Sequence, residues 1–526
     1  MPITRRELLK AGLGAAALSA IPGPVLAYFD PAAPEPVPPI QDPRVRELAF
    51  RAVEAAMSAG ADYADVRLVH TTVDREVEDL TVGVRVLVDG YWGFCGGAIW
   101  SPDEMARLGR EAVLQARVMA IGPAREVDLA PAPPVRDGHW EMPVEIDPLE
   151  ISPYEIEDFL DSIRIFVSRF PGFSLKKHNV TFQVQEKAFA SSEGSYCTQR
   201  LHLAIPDFLL AYEKDGREVA DWPDRLTPAG MGLELYKGGP SIREDIERLM
   251  EELKEEWALP EKPVEVGRFD VVCDAYTVAR LVDETLGRAT EIDRALGYEA
   301  NAGGTSYLND PGSMMGSLEV GAPSLSLRAN RTERGGAATV RWDDEGVEPD
   351  EFAIVENGVL VDYQTTREGA GWLADVYAAR GRPVRSHGCA RAPSAVEAPL
   401  THRPNLVLAP GTDALDFESA VEALGNGIAI RRLDVDLDFQ GLNGLGLGKF
   451  YEVKDGKRVA RLVGAGLLFR APELWKALRA LGGPESLQRY GLRATKGEPP
   501  QSAYHSVTAP PAVFEQLTII DALRKA

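Results

Sequence analysis

The side chains with the most chemical potential gather in one stretch, LVDETLGRATEIDRALGYEANAGGTSYL, from Leu281 to Leu308. Asp283 and Glu284 supply adjacent carboxylates, and Arg288 follows Glu284 by one helical turn. On a regular helix Glu284 and Arg288 face each other in the favourable acid-before-base order, worth ~0.3–0.5 kcal/mol if exposed. The carboxylates could hold a hard cation among oxygens, but the fixed guanidinium repels metal and neutralises an acid beside it. On residue types alone the stretch reads as a surface ion pair. His387 and Cys389 in SHGC stand two apart, so on a strand they share a face and could form a thiol–imidazole pair. His505 in AYHSV is isolated and reads as structural or cleft-lining. NGLGLGKF (Asn443–Phe450) lacks both the first glycine and the closing Ser/Thr of a phosphate loop and reads as a glycine-rich turn. WDDEGV (Trp342–Val347) could coordinate a cation and reads more simply as a turn with solvated charge.

Several elements must position these groups. VRELAFRAVEAAMSAG has helical apolar spacing and stops at Gly60. The segment from Tyr63 to Ile99 alternates polar and apolar residues around VDG, the pattern of antiparallel strands and tight turns. Ser101 precedes Glu104 at capping-box spacing, opening another helix. Beyond the breaker-rich connector Leu129–Gly138, YEIEDFLDSIRIFVSRF reads as a helix and Asn179–Glu213 as a strand meander. SIREDIERLMEELKEEWALP is the clearest helix, with Ser241 and Glu244 as a capping box and Pro260 as its stop. VEVGRFDVVCD is a strand that leads into a helix at AYTVARLVDETLGRA. The remainder reads as short strands and glycine turns, apart from helices at Val278–Leu296 and Pro472–Leu481. The fold class is α+β. Four segments are expected: a signal peptide over 1–27, a proline-rich tether over 28–43, an α+β region over 44–259 and a strand-rich domain over 260–526.

A chain of 526 residues can build two or three domains. Its net charge of −23 opposes binding to nucleic acid or anionic lipid. TRRELLK places twin arginines before an apolar run, and VLA supplies small residues for cleavage after Ala27. This predicts export by the twin-arginine route to the periplasm or beyond the cytoplasm. The apolar run is too short to span a bilayer, so no stable membrane span is expected after signal removal. Cys95, Cys197, Cys273 and Cys389 are widely spaced with no CxxC pair, and buried free thiols are the expectation.

DETLGRATEIDRALGYEANAGGTSYL resembles the signature of the TldD/PmbA family of peptidases and peptidase homologues. GADYADVRL, VGVRVLVDGYWGF and AFASSEGSYCTQ resemble its N-terminal half. WDDEGVEPDEFAIVENGVLVDYQTTRE, RSHGCARAP and KGEPPQ resemble its C-terminal half. The resemblance implies a two-part architecture, an N-terminal α/β region with antiparallel strands and a larger strand-rich C-terminal domain. It also implies dimers around an interior cleft and flexible peptides as substrate. In metal-bearing members, two histidines of a His-Glu-x-x-x-His stretch and a downstream cysteine hold zinc, with the glutamate as base. That motif needs an irregular helix, because a five-residue step turns about 140° in a regular one. Mapped here, Asp283 and Arg288 occupy the histidine positions, Glu284 the base position and Ala494 the cysteine position.

The implied donor count therefore falls to one at most, and no zinc or other cofactor is expected. His387 and Cys389 lie within the family-wide resemblance, whose members hydrolyse with metal, so a catalytic cysteine is not favoured. Tyr298, His387 and His505 are the cleft candidates. The family includes subunits without metal ligands that pair with metal-bearing ones. The resemblance thus implies a peptide-binding or partner subunit, in a homodimer or in a heterodimer with a metal-bearing paralogue. Two alternatives stand beside it: a divergent active peptidase on unfolded peptides, and a non-enzymatic periplasmic binding or scaffold homodimer.

Overall fold

Asp42 accepts a hydrogen bond from the Arg44 amide at 2.9 Å, and Pro43 occupies the first turn of helix α1 (Pro43–Ser58). The proline expected to belong to a tether is thus a helix starter, and Ile40 before it is already buried. The computed structural model describes residues 38–120, 127–237 and 242–523. The expected signal peptide, residues 28–37 of the tether and Ser241 lie outside the described residues.

Strands β1 (Tyr63–Val73), β2 (Glu76–Val88) and β3 (Tyr91–Gly97) form a meander. Asp89 and Gly90 turn β2 into β3 with φ of 49° and 80°, the left-handed pair that a two-residue hairpin requires. Helix α2 (Pro102–Met119) follows, with Ser101 Oγ accepting from the Glu104 amide at 3.3 Å. Then come β4 (Gly138–Glu141), helix α3 (Pro153–Val167), β5 (Phe173–Ser191), β6 (Tyr196–Lys214) and β7 (Arg217–Asp221). The sheet runs β3-β2-β1-β5-β6-β4, with β7 also on β6. Ala64, Val66, Leu68, Val82, Val84 and Val86 face α1 and α2 in one apolar cluster.

The opposite face of β1 and β2 is charged, yet it is buried as well. Asp65 and Arg85 are cross-strand neighbours joined at 2.6 Å, and Arg85 reaches Glu345 at 3.0 Å. Lys187 on β5 meets Asp344 at 2.6 Å, and Arg67 donates to the Glu397 carbonyl at 2.7 Å. Glu345 also accepts from the Arg367 amide at 2.6 Å, while the Arg367 guanidinium grips Glu193 at 2.7 and 2.8 Å. The expected solvated turn WDDEGV is therefore the buried acidic half of a charge lattice, with Asp343, Asp344 and Glu345 each at most 5% exposed. A Cβ at Gly83 would sit 1.8 Å from the Ala395 carbonyl oxygen, so β2 meets the backbone around Ala395 directly.

After helix α4 (Ile242–Ala258) come β8 (Glu261–Pro263), β9 (Gly267–Cys273) and helix α5 (Ala275–Val282). One sheet runs in the order β12 (Val359–Leu360), β11 (Glu351–Glu356), β10 (Leu327–Asn330), β15 (Asn405–Leu408), β22 (Gln501–Ala509), β21 (Gln488–Lys496). Strands β13 (Ala390–Arg391) and β14 (Leu400–Thr401) pair separately. In the other large sheet β16 (Gly427–Leu437), β9, β23 (Ala512–Asp521), β19 (Ala465–Arg470) and β17 (Asn443–Lys454) follow one another. There β18 (Lys457–Val463) and β8 extend from β17, and β20 (Leu478–Leu481) joins β23. A further pairing of β16 with β17 closes the first five into a ring, which removes two sheet edges.

Two local expectations fail here. NGLGLGKF is strand β17 and not a turn: a Cβ at Gly444 would lie 2.2 Å from the Phe469 ring and one at Gly446 2.6 Å from Leu433, so glycine lets neighbouring side chains cross the strand. The helix expected at Pro472–Leu481 is a short helix at Ala471–Leu474, a 3₁₀ turn at Trp475–Ala477 and then β20.

Candidate functional site

Helix α5 begins where Asp274 accepts from the Thr277 amide at 2.8 Å. It does not continue regularly to Leu296. At Asp283–Gly287 it widens into a π turn, where the Arg288 amide donates to the Asp283 carbonyl five residues back. A 3₁₀ turn, Arg288–Thr290, and a short helix, Ile292–Ala295, complete it. The irregularity that a five-residue step demands is thus present at the expected positions. Thr285 Oγ1 donates back to the Leu281 carbonyl and accepts from Trp475 Nε1 at 2.8 Å, which pins the wide turn into the core.

Asp283 is fully buried. Its Oδ1 meets His505 Nε2 at 2.7 Å and Arg403 Nη1 at 2.8 Å, and Oδ2 accepts from Arg280 Nη1 at 3.4 Å. Burial alone would push this carboxyl up, but the Arg403 guanidinium and the His505 ring hold it well below the usual carboxylate range. Glu284 lies nearer solvent, with Arg280, Arg288 and Arg403 at 3.6, 3.7 and 3.8 Å. Arg288 donates Nη2 to the Gly303 carbonyl. Burial, then the nearby Arg294 cation, lowers its affinity for a proton.

The hairpin of β21 and β22 covers this turn. His505 stands opposite Leu492, and Ala494 opposite Ala503, so Ala494 lies two residues along the same buried face. Asp283, Glu284, Arg288 and His505 are therefore one neighbourhood, with Ala494 on the wall beside it. Tyr298 is placed apart: it is half exposed and stacks on Trp372 at 4.5 Å between ring centres. His387 is also elsewhere, in a buried pocket where Nδ1 meets Asp350 at 2.9 Å and Nε2 meets Asp362 at 3.0 Å, its ring stacked on Phe352. Burial alone would lower its pKa, and the two carboxylates raise it above the ordinary imidazole value. With both ring nitrogens engaged, His387 does not activate Cys389, whose buried thiol is pushed up to about 12.

Six residues of the neighbourhood, Arg280 and five around Glu291, are not among the site residues read from the sequence. Glu291 is joined to Arg294 at 3.0 Å, Lys496 at 3.2 Å and Arg403 at 3.3 Å, and Lys496 reaches Asp293 at 2.9 Å. Despite burial, Lys496 and the two arginines keep Glu291 ionised well below the ordinary range. The ionisable run from Glu291 to Glu299 was the available local signal. Lys496 opens the KGEPPQ stretch quoted for its resemblance, whereas Arg403 carried no signal; both are more than a hundred residues from Glu291 in sequence. Among the described residues no group of three or more His, Cys, Asp and Glu side chains is arranged to hold a metal ion, and no helix is long and apolar enough to cross a membrane.

Comparison with known proteins places this geometry in context. The family model for the PmbA/TldA metallopeptidase C-terminal domain matches residues 266–521. A metalloprotease of Methanocaldococcus jannaschii is 25% identical over 395 residues, covering 72% of this chain and 80% of that protein. A metalloprotease of Methanothermobacter thermautotrophicus is 27% identical over 351 residues, covering 66% of this chain and 69% of its own length. Among solved structures, TldE from Thermococcus kodakarensis superposes with a TM-score of 0.65 at 13% identity, covering 90% of this chain and 99% of that one. A Thermotoga maritima protein described as a modulator of DNA gyrase gives a TM-score of 0.65 at 15% identity, covering 90% of this chain and all of its own.

Proposed function

Because this chain belongs to the TldD/PmbA family of peptidase homologues, we propose that it is a member without zinc, binding peptide or unfolded protein segments as a partner subunit of a proteolytic dimer. The observation that carries this reading is the state of Asp283. Its carboxylate is spent on His505 and Arg403, so it offers a metal little. Arg288 brings a cation to one ligand position and Ala494 a methyl group to another. A catalytic zinc needs about three donors and an open position, and these residues do not fit it. Glu284, without a metal-bound water to deprotonate, has no strong nucleophile to generate.

The buried strand-and-turn frame around the site supports retention of a cleft after loss of the chemistry. Hydrolysis in the assembly then falls to a metal-bearing paralogue, and export by the twin-arginine route delivers the complex already folded. The measurement that tests this is zinc content after saturation with the metal and desalting. Substoichiometric zinc is expected, and one tightly held zinc per chain overturns the reading. Asp283→His, Arg288→His and Ala494→Cys together should restore zinc binding, and failure to do so refutes the site mapping. Co-purification with a His-Glu-x-x-x-His paralogue is expected, whereas recovery only as a homodimer refutes the partner role.

A further inference from the structure

Three guanidinium groups converge on one carboxylate at the mouth of the site without seating it. Arg280, Arg288 and Arg403 approach Glu284 at 3.6, 3.7 and 3.8 Å, and none of the three contacts is a hydrogen bond. Charge-assisted bonds between guanidinium and carboxylate run about 2.7–2.9 Å and are frequently bidentate. Each arginine is held by a second partner: the Nη1 atoms of Arg280 and Arg403 that approach Glu284 lie closer to Asp283, at 3.4 and 2.8 Å, and Arg288 donates Nη2 to the Gly303 carbonyl. Arg280 Nε is buried and makes no hydrogen bond to the described residues. It lies 3.7 Å from Asp434, whose side chain is 80% exposed and screened by solvent. Glu284 is tethered to the π turn and can reach the centre of this cluster but not settle into it.

We propose that Arg280, Arg288 and Arg403 form a cradle for the C-terminal carboxylate of a peptide, with Glu284 as its internal placeholder. A carboxylate free of the helix backbone can rotate to meet two guanidinium edges at once, which Glu284 does not achieve. Arg280 and Arg288 are partly exposed while Arg403 is buried, so the ligand enters on the side of the first two. Displacement of Glu284 by the incoming carboxylate leaves the local charge unchanged. This rests on the peptide-binding reading above and names the end of the peptide that is read.

The test is fluorescence anisotropy on the full chain with one unstructured labelled peptide in two forms, free acid and C-terminal amide. The acid should bind at least ~tenfold tighter, as loss of a charge-assisted pair implies. Glu284→Gln removes the placeholder's charge and should tighten binding of the acid while leaving the amide unchanged. Arg288→Gln should weaken the acid alone. Equal binding of both forms overturns the cradle and leaves the peptide-binding reading standing. Binding of neither form overturns both. Inorganic phosphate competing as well as the acid peptide at equal concentration marks a general anion site and overturns the peptide assignment. Should Glu284→Gln fail to fold, as read by its melting transition, the acid–amide comparison on the unmodified chain still decides.

Discussion

Replacing Arg403 tests whether the interior of the site is held by compensated charge. Arg403→Met keeps an unbranched side chain of similar reach and deletes the guanidinium. Asp283 has no solvent exposure, so it cannot recover hydration in place of its 2.8 Å partner. It keeps only His505 at 2.7 Å and Arg280 at 3.4 Å, and Glu291 loses its 3.3 Å contact as well. Breaking a buried pair from the cationic side should therefore cost ~3–5 kcal/mol. Asp283→Asn is the informative counterpart. The amide remains polar, and Arg403 retains Glu284 at 3.8 Å and Glu291 at 3.3 Å, so the loss should be about 1–2 kcal/mol. The double variant should cost less than the sum of the singles, because neither charge is then stranded. Urea unfolding followed by tryptophan fluorescence reads all three, since Trp475 bonds to Thr285 within the site. A cost below about 1 kcal/mol for Arg403→Met, or a larger cost for Asp283→Asn, would refute this account.

Other measurements bear on the remaining structure. His387 carries a raised pKa in the fold, so its contribution is complete below the unfolded value of ~6.5 and is lost as pH rises through the folded one. The stability gap between the natural chain and His387→Gln should accordingly narrow above neutrality, and a gap that widens with pH refutes the double carboxylate clamp. Gly83→Ala places a methyl group 1.8 Å from a backbone oxygen and should destabilise by at least ~1–3 kcal/mol in the same urea assay; a neutral result would mean β2 does not meet Ala395 as described. Of the four cysteines, Cys95 is the one with solvent access, and it should react first with a small maleimide under native conditions. Fast labelling of Cys197, Cys273 or Cys389, identified by peptide mass, would contradict their burial.

Helices announced themselves where local chemistry was read: Ser101 accepts the Glu104 amide hydrogen at the start of α2, and apolar spacing marks α1 and α4, whereas the caps Asp42 and Asp274 passed unnoticed. The VDG hairpin was legible for the same reason, since a left-handed pair needs such residues. The π turn was foreseeable only through the five-residue step implied by resemblance. What stayed hidden was long-range. Alternation in β1 looks the same whether its polar face meets water or Asp344 and Glu345. Glycines in β17 suggest a turn until Phe469 and Leu433 are seen lying over them. Arg403 and Lys496 became site residues only when the segment leading into β15 and the end of β21 were folded against the residues around Glu291.

The charge lattice between the first sheet and residues 343–345 has a consequence for inheritance. Arg85 and Lys187 on one side and Glu345 and Asp344 on the other are complements: Arg85 would keep Asp65 at 2.6 Å, but Lys187 without Asp344 is a buried cation with no opposite charge. A chimera joining the first 259 residues of this chain to the second half of a distant relative would have to import the matching charges along with the fold. The two halves are therefore expected to change in concert, as a lock and its own key, and not to be traded as interchangeable modules.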